Sequence, residues 1–121
     1  MANTDETRPT PIVIDFLGEP TELYLTVEEY CFGGTYVGAV EADTGEPFCD
    51  VTVNLGGMPD VDGAMAFIDT NGCPKALRER LGELGLYRPT GIEEKSGFCT
   101  YPLVRLDLKA MEPYRVCDGV L

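Results

Sequence analysis

The sequence predicts an α+β fold: a twisted antiparallel β-sheet, a meander of about five to six strands, with one main amphipathic helix packed on one face. Three observations predict it. Apolar and polar residues alternate in several short segments before residue 70, turn-forming sequences separate those segments, and one later segment switches to helical spacing. Alternation places one side of a strand in a core and the other in water, and connections of a few residues join antiparallel neighbours.

The first segment is Ile12 to Leu17, closed by the turn Gly18-Glu19-Pro20. In Thr21 to Cys31, Leu23, Leu25 and Val27 point one way, while Glu22, Tyr24, Thr26, Glu28 and Tyr30 point the other. Gly33-Gly34 turns the chain into TYVGAVEA, and DTGEP turns it again. FCDVTVNL then sets Cys49, Val51, Val53 and Leu55 against Phe48, Asp50, Thr52 and Asn54. After the loop GGMPDVDG, Ala64 to Asp69 forms a fifth short strand. CPKALRERLGELG reads as a helix because Leu77, Leu81 and Leu84 fall on one stripe. Pro74 suits the first helical position, Gly85 the left-handed residue that ends a helix, and Leu86 can pack back on Leu81 as in a Schellman motif. YRPTGIEEKSG reads as a loop and Phe98 to Ala110 as a last strand, one that begins after Pro102 or lies at an edge because proline donates no ladder bond.

At 121 residues the chain can bury one core without metal or disulfide staples. Residues 1–10 are expected to be a disordered lead-in and residues 11–121 a single domain. The longest apolar runs fall far short of the ~20 residues that cross a bilayer. MANTDETRPTP carries acids where a secretory signal carries basic and then apolar residues, so a cytoplasmic location is expected.

Charge carries the strongest functional signal. The net charge is -12, and from Pro9 to Pro74 there is no Lys or Arg among 12 acids. From Lys75 onward 8 basic residues face 7 acidic ones, so the excess belongs to the N-terminal part. Such a field repels nucleic acid and anionic membranes and attracts basic surfaces.

The motifs that resemble catalytic or metal sites have simpler readings. Asp43-Thr44-Gly45 matches the aspartic-protease triplet, but Glu41, Glu46 and Pro47 flank it where paired acids need an apolar surround; a turn is simpler. Counted from Asp69, an EF-hand loop would need Gly and Glu where Pro74 and Arg80 stand. Asp60 and Asp62 lack a third ligand nearby. The five cysteines, Cys31, Cys49, Cys73, Cys99 and Cys117, form no CxxC pair and the chain has no His, so reduced, packed thiols are expected rather than a metal site or a Cys-His nucleophile. A helix start beside Cys73 would lower its pKa, although a packed or capping thiol is the simpler reading. Neither Gly33-Gly34 nor Gly56-Gly57 is followed by a phosphate-binding Lys. No enzyme activity, cofactor or metal is expected.

The remaining constellation is the wet face of the meander. Glu22, Tyr24, Glu28 and Tyr30 alternate outward, and Asp50 with either Tyr36 or Glu41 extends the surface. Acids spaced at about 6.6 to 7 Å per two strand residues resemble phosphates along a nucleic-acid strand. Tyrosines among them add rigid contact area suited to a protein interface. An ordinary solvated sheet face accounts for the same residues.

FIDTNGCP (Phe67 to Pro74) reads as a strand-to-helix joint: Asp69, Thr70 or Asn71 accepts backbone N–H bonds, Gly72 permits an unusual backbone angle and Pro74 opens the helix. Followed by an amphipathic helix, LGELGL, Pro89-Thr90-Gly91, Ser96-Gly97-Phe98 and Thr100-Tyr101-Pro102-Leu103, it resembles an uncharacterised family of short acidic proteins carried by plasmids, conjugative elements and phages of gut bacteria. The resemblance covers about Ile12 to Leu108 and transfers no catalytic residue. It implies a bacterial host cell and a setting in which small acidic proteins counter restriction or CRISPR systems. The expectation is therefore a non-enzymatic anti-defence protein, an anti-CRISPR acting as an acidic nucleic-acid mimic, monomeric or homodimeric. Glu22, Tyr24, Glu28, Glu29, Tyr30, Glu41 and Asp50 would meet a basic surface of a host defence protein or ribonucleoprotein complex. Two other readings stay open. One is a sponge for a nucleotide defence signal, held by Arg78, Arg80, Arg88 and Lys95; the other is an accessory protein of conjugation.

Overall fold

The fold is described from a computed structural model over residues 9–29, 35–55 and 64–116. It is α+β and mostly antiparallel sheet. Strands β1 (Ile12–Phe16), β2 (Glu19–Glu29), β3 (Thr35–Glu41) and β4 (Pro47–Asp50) pair in that order as a meander. Strands β5 (Thr52–Val53), β6 (Met65–Ile68), β7 (Tyr87–Ser96) and β8 (Cys99–Leu106) form a second sheet in the order β5-β6-β8-β7. Among the described residues there are thus two four-stranded sheets where one sheet of five to six strands is expected. Two short helices, α1 (Lys75–Glu83) and α2 (Leu108–Met111), stand where one main helix is expected.

Val51 is the seam between the sheets and splits the expected strand FCDVTVNL in two. Its N–H donates to the Val37 carbonyl in the first sheet, while its own carbonyl turns away to accept the Asp69 N–H of the second, both at 2.8 Å. The Val37 N–H is left facing the gap and donates instead to the Thr52 hydroxyl at 3.0 Å. That bond explains why Thr52 is buried although alternation assigns it to the wet side. The first sheet is also curled: Phe16 and Phe48, from its two edge strands, meet edge to face with ring centroids 5.0 Å apart.

One core joins both sheets to the helices. Leu23, Leu25 and Val37 enter from the first sheet, Ile68, Val104 and Leu106 from the second, Leu77 and Leu81 from α1 and Met111 from α2. Pro74 is the cap residue before α1, with ψ 146, and not its first helical residue. The other end closes as a Schellman motif: the Leu86 N–H donates to the Leu81 carbonyl, the Gly85 N–H to Gly82, and Gly85 has φ +74.

Three boundaries differ from expectation. Tyr87 to Ser96 is a strand rather than a loop; it is an edge strand with almost every residue outside the core, so it carries no apolar alternation. Its partner β8 is internal and runs through Pro102, which is tolerated because the described ladder with β6 spans only Leu103 to Arg105. That strand ends at Leu106 because the Asp107 carboxylate accepts the Ala110 N–H at 3.0 Å and starts α2. At the first hairpin the turn is Leu17-Gly18, with Phe16 opposite Glu19, so Glu19 and Pro20 already belong to β2. The expected Gly33-Gly34 turn, the loop with Asp60 and Asp62, and residues 1–8 lie outside the described residues. Thr10, expected in the lead-in, donates its N–H to the Pro113 carbonyl. No helix among the described residues is long and apolar enough to cross a membrane.

Candidate partner-binding face

The outer face of the first sheet is built on β2, whose alternation sends Leu23 and Leu25 into the core and Glu22, Tyr24, Thr26 and Glu28 outward. Cross-strand register adds the neighbours: Tyr24 lies opposite Val40, Thr26 opposite Gly38, Glu28 opposite Tyr36, and Gly38 in turn opposite Asp50. Thr26, Glu28, Tyr36, Val40, Pro47 and Asp50 line a shallow cleft of about 340 Å³, which also reaches Phe48 and Cys49 beside the bulge at Ala39/Val40.

Within this cleft the Tyr36 hydroxyl donates to Asp50 Oδ1 at 2.6 Å. The ring reaches Asp50 by lying across Gly38, where an added Cβ would come within 2.8 Å of the Tyr36 Cζ. Glycine is required there for space, not for an unusual φ. The hydrogen bond pins one oxygen of Asp50, while Glu22 and Glu28 remain exposed. Among the described residues the acids of this face have no ion-pair partner; the ion pairs Lys75–Glu79 and Arg80–Glu83 both lie on α1.

Of the expected interface residues, Glu22, Tyr24, Glu28 and Asp50 share this face. Glu41 does not. It pairs with Leu23, a core position, and is taken up by the β3–β4 turn, where its carboxylate accepts the Thr44 hydroxyl and its carbonyl the Gly45 N–H. Tyr36 takes the place that the sequence left open between the two. Tyr30 and the side chain of Glu29 lie outside the described residues. Asp43-Thr44-Gly45 sits in that same turn, with Gly45 at φ +77.

FIDTNGCP is a joint, as its residues suggest. Asp69 Oδ1 accepts the Asn71 and Gly72 N–H groups at 3.1 and 2.8 Å, and the Asp69 carbonyl accepts the Cys73 N–H. Gly72 is needed because a Cβ would press on the Asp69 carboxylate at 2.6 Å, and it is not among the glycines with positive φ. Among the described residues no group of three or more His, Cys, Asp or Glu is placed to hold a metal ion.

The basic residues do not converge. Arg78 Nε donates to the Cys73 carbonyl, Arg80 pairs with Glu83, and Lys95 lies opposite Thr100 near the tip of the β7–β8 hairpin. Arg88 stands directly opposite Arg105, a residue the basic set omits, and both line a cleft of about 240 Å³ with Tyr87 and Asp107. The sequence holds no local sign of this pairing, which depends on the β7–β8 register.

No curated protein and no solved structure matches the chain. A family model matches residues 24–120, from within β2 onward, so β1 lies outside the match. The chain belongs to the family described as Domain of unknown function (DUF4313).

Proposed function

We propose that this protein is a non-enzymatic anti-defence protein of a mobile element, an anti-CRISPR whose acidic sheet face occupies a basic nucleic-acid-binding surface of a host nuclease complex. The observation that carries the proposal is the shared outer face of Glu22, Tyr24, Glu28, Tyr36 and Asp50, in a stretch without Lys or Arg from residue 9 to 74. Carboxylates there replace phosphates as partners for Lys and Arg, and the two tyrosines supply rigid apolar area between the charges. Binding excludes nucleic acid from the same surface and weakens as salt rises.

The test is binding of the purified protein to a panel of CRISPR effector ribonucleoproteins, with and without target DNA, across a salt series. The expected result is binding to at least one effector, competition with DNA, and loss of affinity in an E22K/E28K/D50K variant. Unchanged affinity in that variant, or binding indifferent to DNA, overturns the interface. The cleft with Arg88 opposite Arg105 favours a second reading, capture of an anionic nucleotide signal, which mass spectrometry of ligand released from protein purified out of infected cells would detect.

A further inference from the structure

Cys49 and Cys73 stand 24 positions apart in the chain, on different elements, yet they meet in the fold: Cys49 packs against the core cluster that holds Cys73, and each thiol is the group that most strongly influences the other. Both are free thiols. The seam at Val51 brings them together: it carries the chain from β4, where Cys49 packs against the core, to contact with the joint that follows β6, where Cys73 belongs to the core. The two sulfurs differ in access. Cys49 is half-buried on the edge strand β4, at the margin of the core, whereas Cys73 is 2% exposed. No third metal-ligating residue joins them among the described residues, so the pair suits sulfur chemistry rather than a metal ion.

We propose that Cys49 and Cys73 are a redox site, in which Cys49 attacks a low-molecular-weight disulfide such as glutathione disulfide and Cys73 resolves the adduct into an intramolecular disulfide. The difference in burial and the influence of each thiol on the other support these roles. With Cys73 donating to it, the Cys49 sulfur is held below the usual thiol pKa, against the opposing effects of burial and of Asp50 and Asp69. Cys73 is pushed far up by the same bond and by burial; Arg78 opposes that shift and Asp69 adds to it. The less buried thiol is thus the better nucleophile and the buried one keeps its proton until the second step.

The chemistry balances without any other reactant. Cys49 loses its proton to solvent, and its thiolate bonds to one sulfur of the disulfide, whose S–S bond breaks to release one thiolate that takes up a proton. Cys73 then loses its proton, its sulfur bonds to the Cys49 sulfur, and the second small thiol leaves and is protonated. Two protein thiols are oxidised to one disulfide, and one small disulfide is reduced to two thiols.

The test uses the full chain, fully reduced and then incubated with glutathione disulfide at neutral pH. Acid-quenched samples are mapped over time at all five cysteines. The expected course is a glutathione adduct on Cys49, followed by a product two hydrogens lighter in which Cys49 and Cys73 peptides are linked. C73S should stop at the Cys49 adduct, and C49S should leave Cys73 unmodified while its circular dichroism matches the parent. The time course of the unmutated chain decides the matter if a variant misfolds. A first adduct on Cys73, a Cys49 adduct that never resolves, a link between any other pair, or a Cys49 that stays reduced while an unstructured thiol peptide reacts overturns the proposal.

Discussion

Oxidation of the Cys49–Cys73 pair should stabilise the protein by an amount that follows from where the two residues stand. The bond would close a loop of 24 steps, and the chain-entropy relation gives about 3.5 kcal/mol of destabilisation of the unfolded state at 25 °C. Strain in the folded state subtracts from this value, so the figure is the upper end of the expected gain, for a pair that already packs in one core. For 121 residues the melting entropy is roughly 0.25 kcal/mol/K, so the gain corresponds to a Tm increase on the order of 14 °C. Differential scanning calorimetry of the mapped, singly oxidised protein against the fully reduced protein measures it. A Tm that falls or stays put once the link is confirmed would falsify the claim that the fold presents the pair in position to bond, since a strained bridge forfeits its entropic gain.

The remaining expectations concern the packing that presents the two sites. Leu81→Ala removes a fully buried side chain from the α1 stripe and should cost about 3 kcal/mol, read as a lowered urea midpoint. Thr52→Val keeps the shape at the seam but leaves the buried Val37 N–H without its acceptor, a loss of about 1–3 kcal/mol, with faster hydrogen exchange at Val37 as the readout. Leu17 has φ 55 and is 88% exposed in the first hairpin, so Leu17→Asn, beside Gly18, should raise stability by about 1 kcal/mol in the same denaturation assay. Because Cys49 ionises below the usual thiol range, its rate of alkylation by iodoacetamide should rise with pH and level off at a lower pH than that of an unstructured cysteine peptide. In C73A, which removes the donor without supplying another, that plateau should move upward.

The alternation of β2 was legible because each core residue on it is Leu or Val and its outward neighbours are polar, so Glu22, Tyr24 and Glu28 could be assigned to one face before any register was known. On β3 the pattern is degraded: Gly38 and Ala39 are both small and Val40 is an outward apolar residue, which left Tyr36 and Glu41 undecided until pairing with β2 set them on opposite sides. Strand β7 gave no pattern because it buries so little. The split at Val51 was hidden for another reason. Alternation through FCDVTVNL reads straight on, and only the long-range bonds to Val37 and Asp69 show that the strand changes sheets there. The thiol pair and the Arg88–Arg105 pair follow from such long-range geometry, so no local signal announced either.

The candidate face and the thiol pair depend on the same four-residue strand. Neighbouring strand residues face opposite ways, so β4 holds the Asp50 carboxylate outward over Gly38 and turns Cys49 toward the core opposite Ala39. A slip of one residue would exchange them, putting a carboxylate inside and the thiol outside. Two local devices oppose that slip. On the outside, the Tyr36 hydroxyl reaches Asp50 only because Gly38 leaves room for the ring. At the end of the strand, the Val51 N–H bond to Val37 fixes the register while its carbonyl is committed to Asp69, one residue of the joint that positions Cys73. The residue that sets where the acid points, Val51, therefore also sets whether the two cysteines meet. A disulfide between Cys49 and Cys73 would tie β4 to that joint directly, and its mechanical effect would be to reinforce the register that displays Asp50.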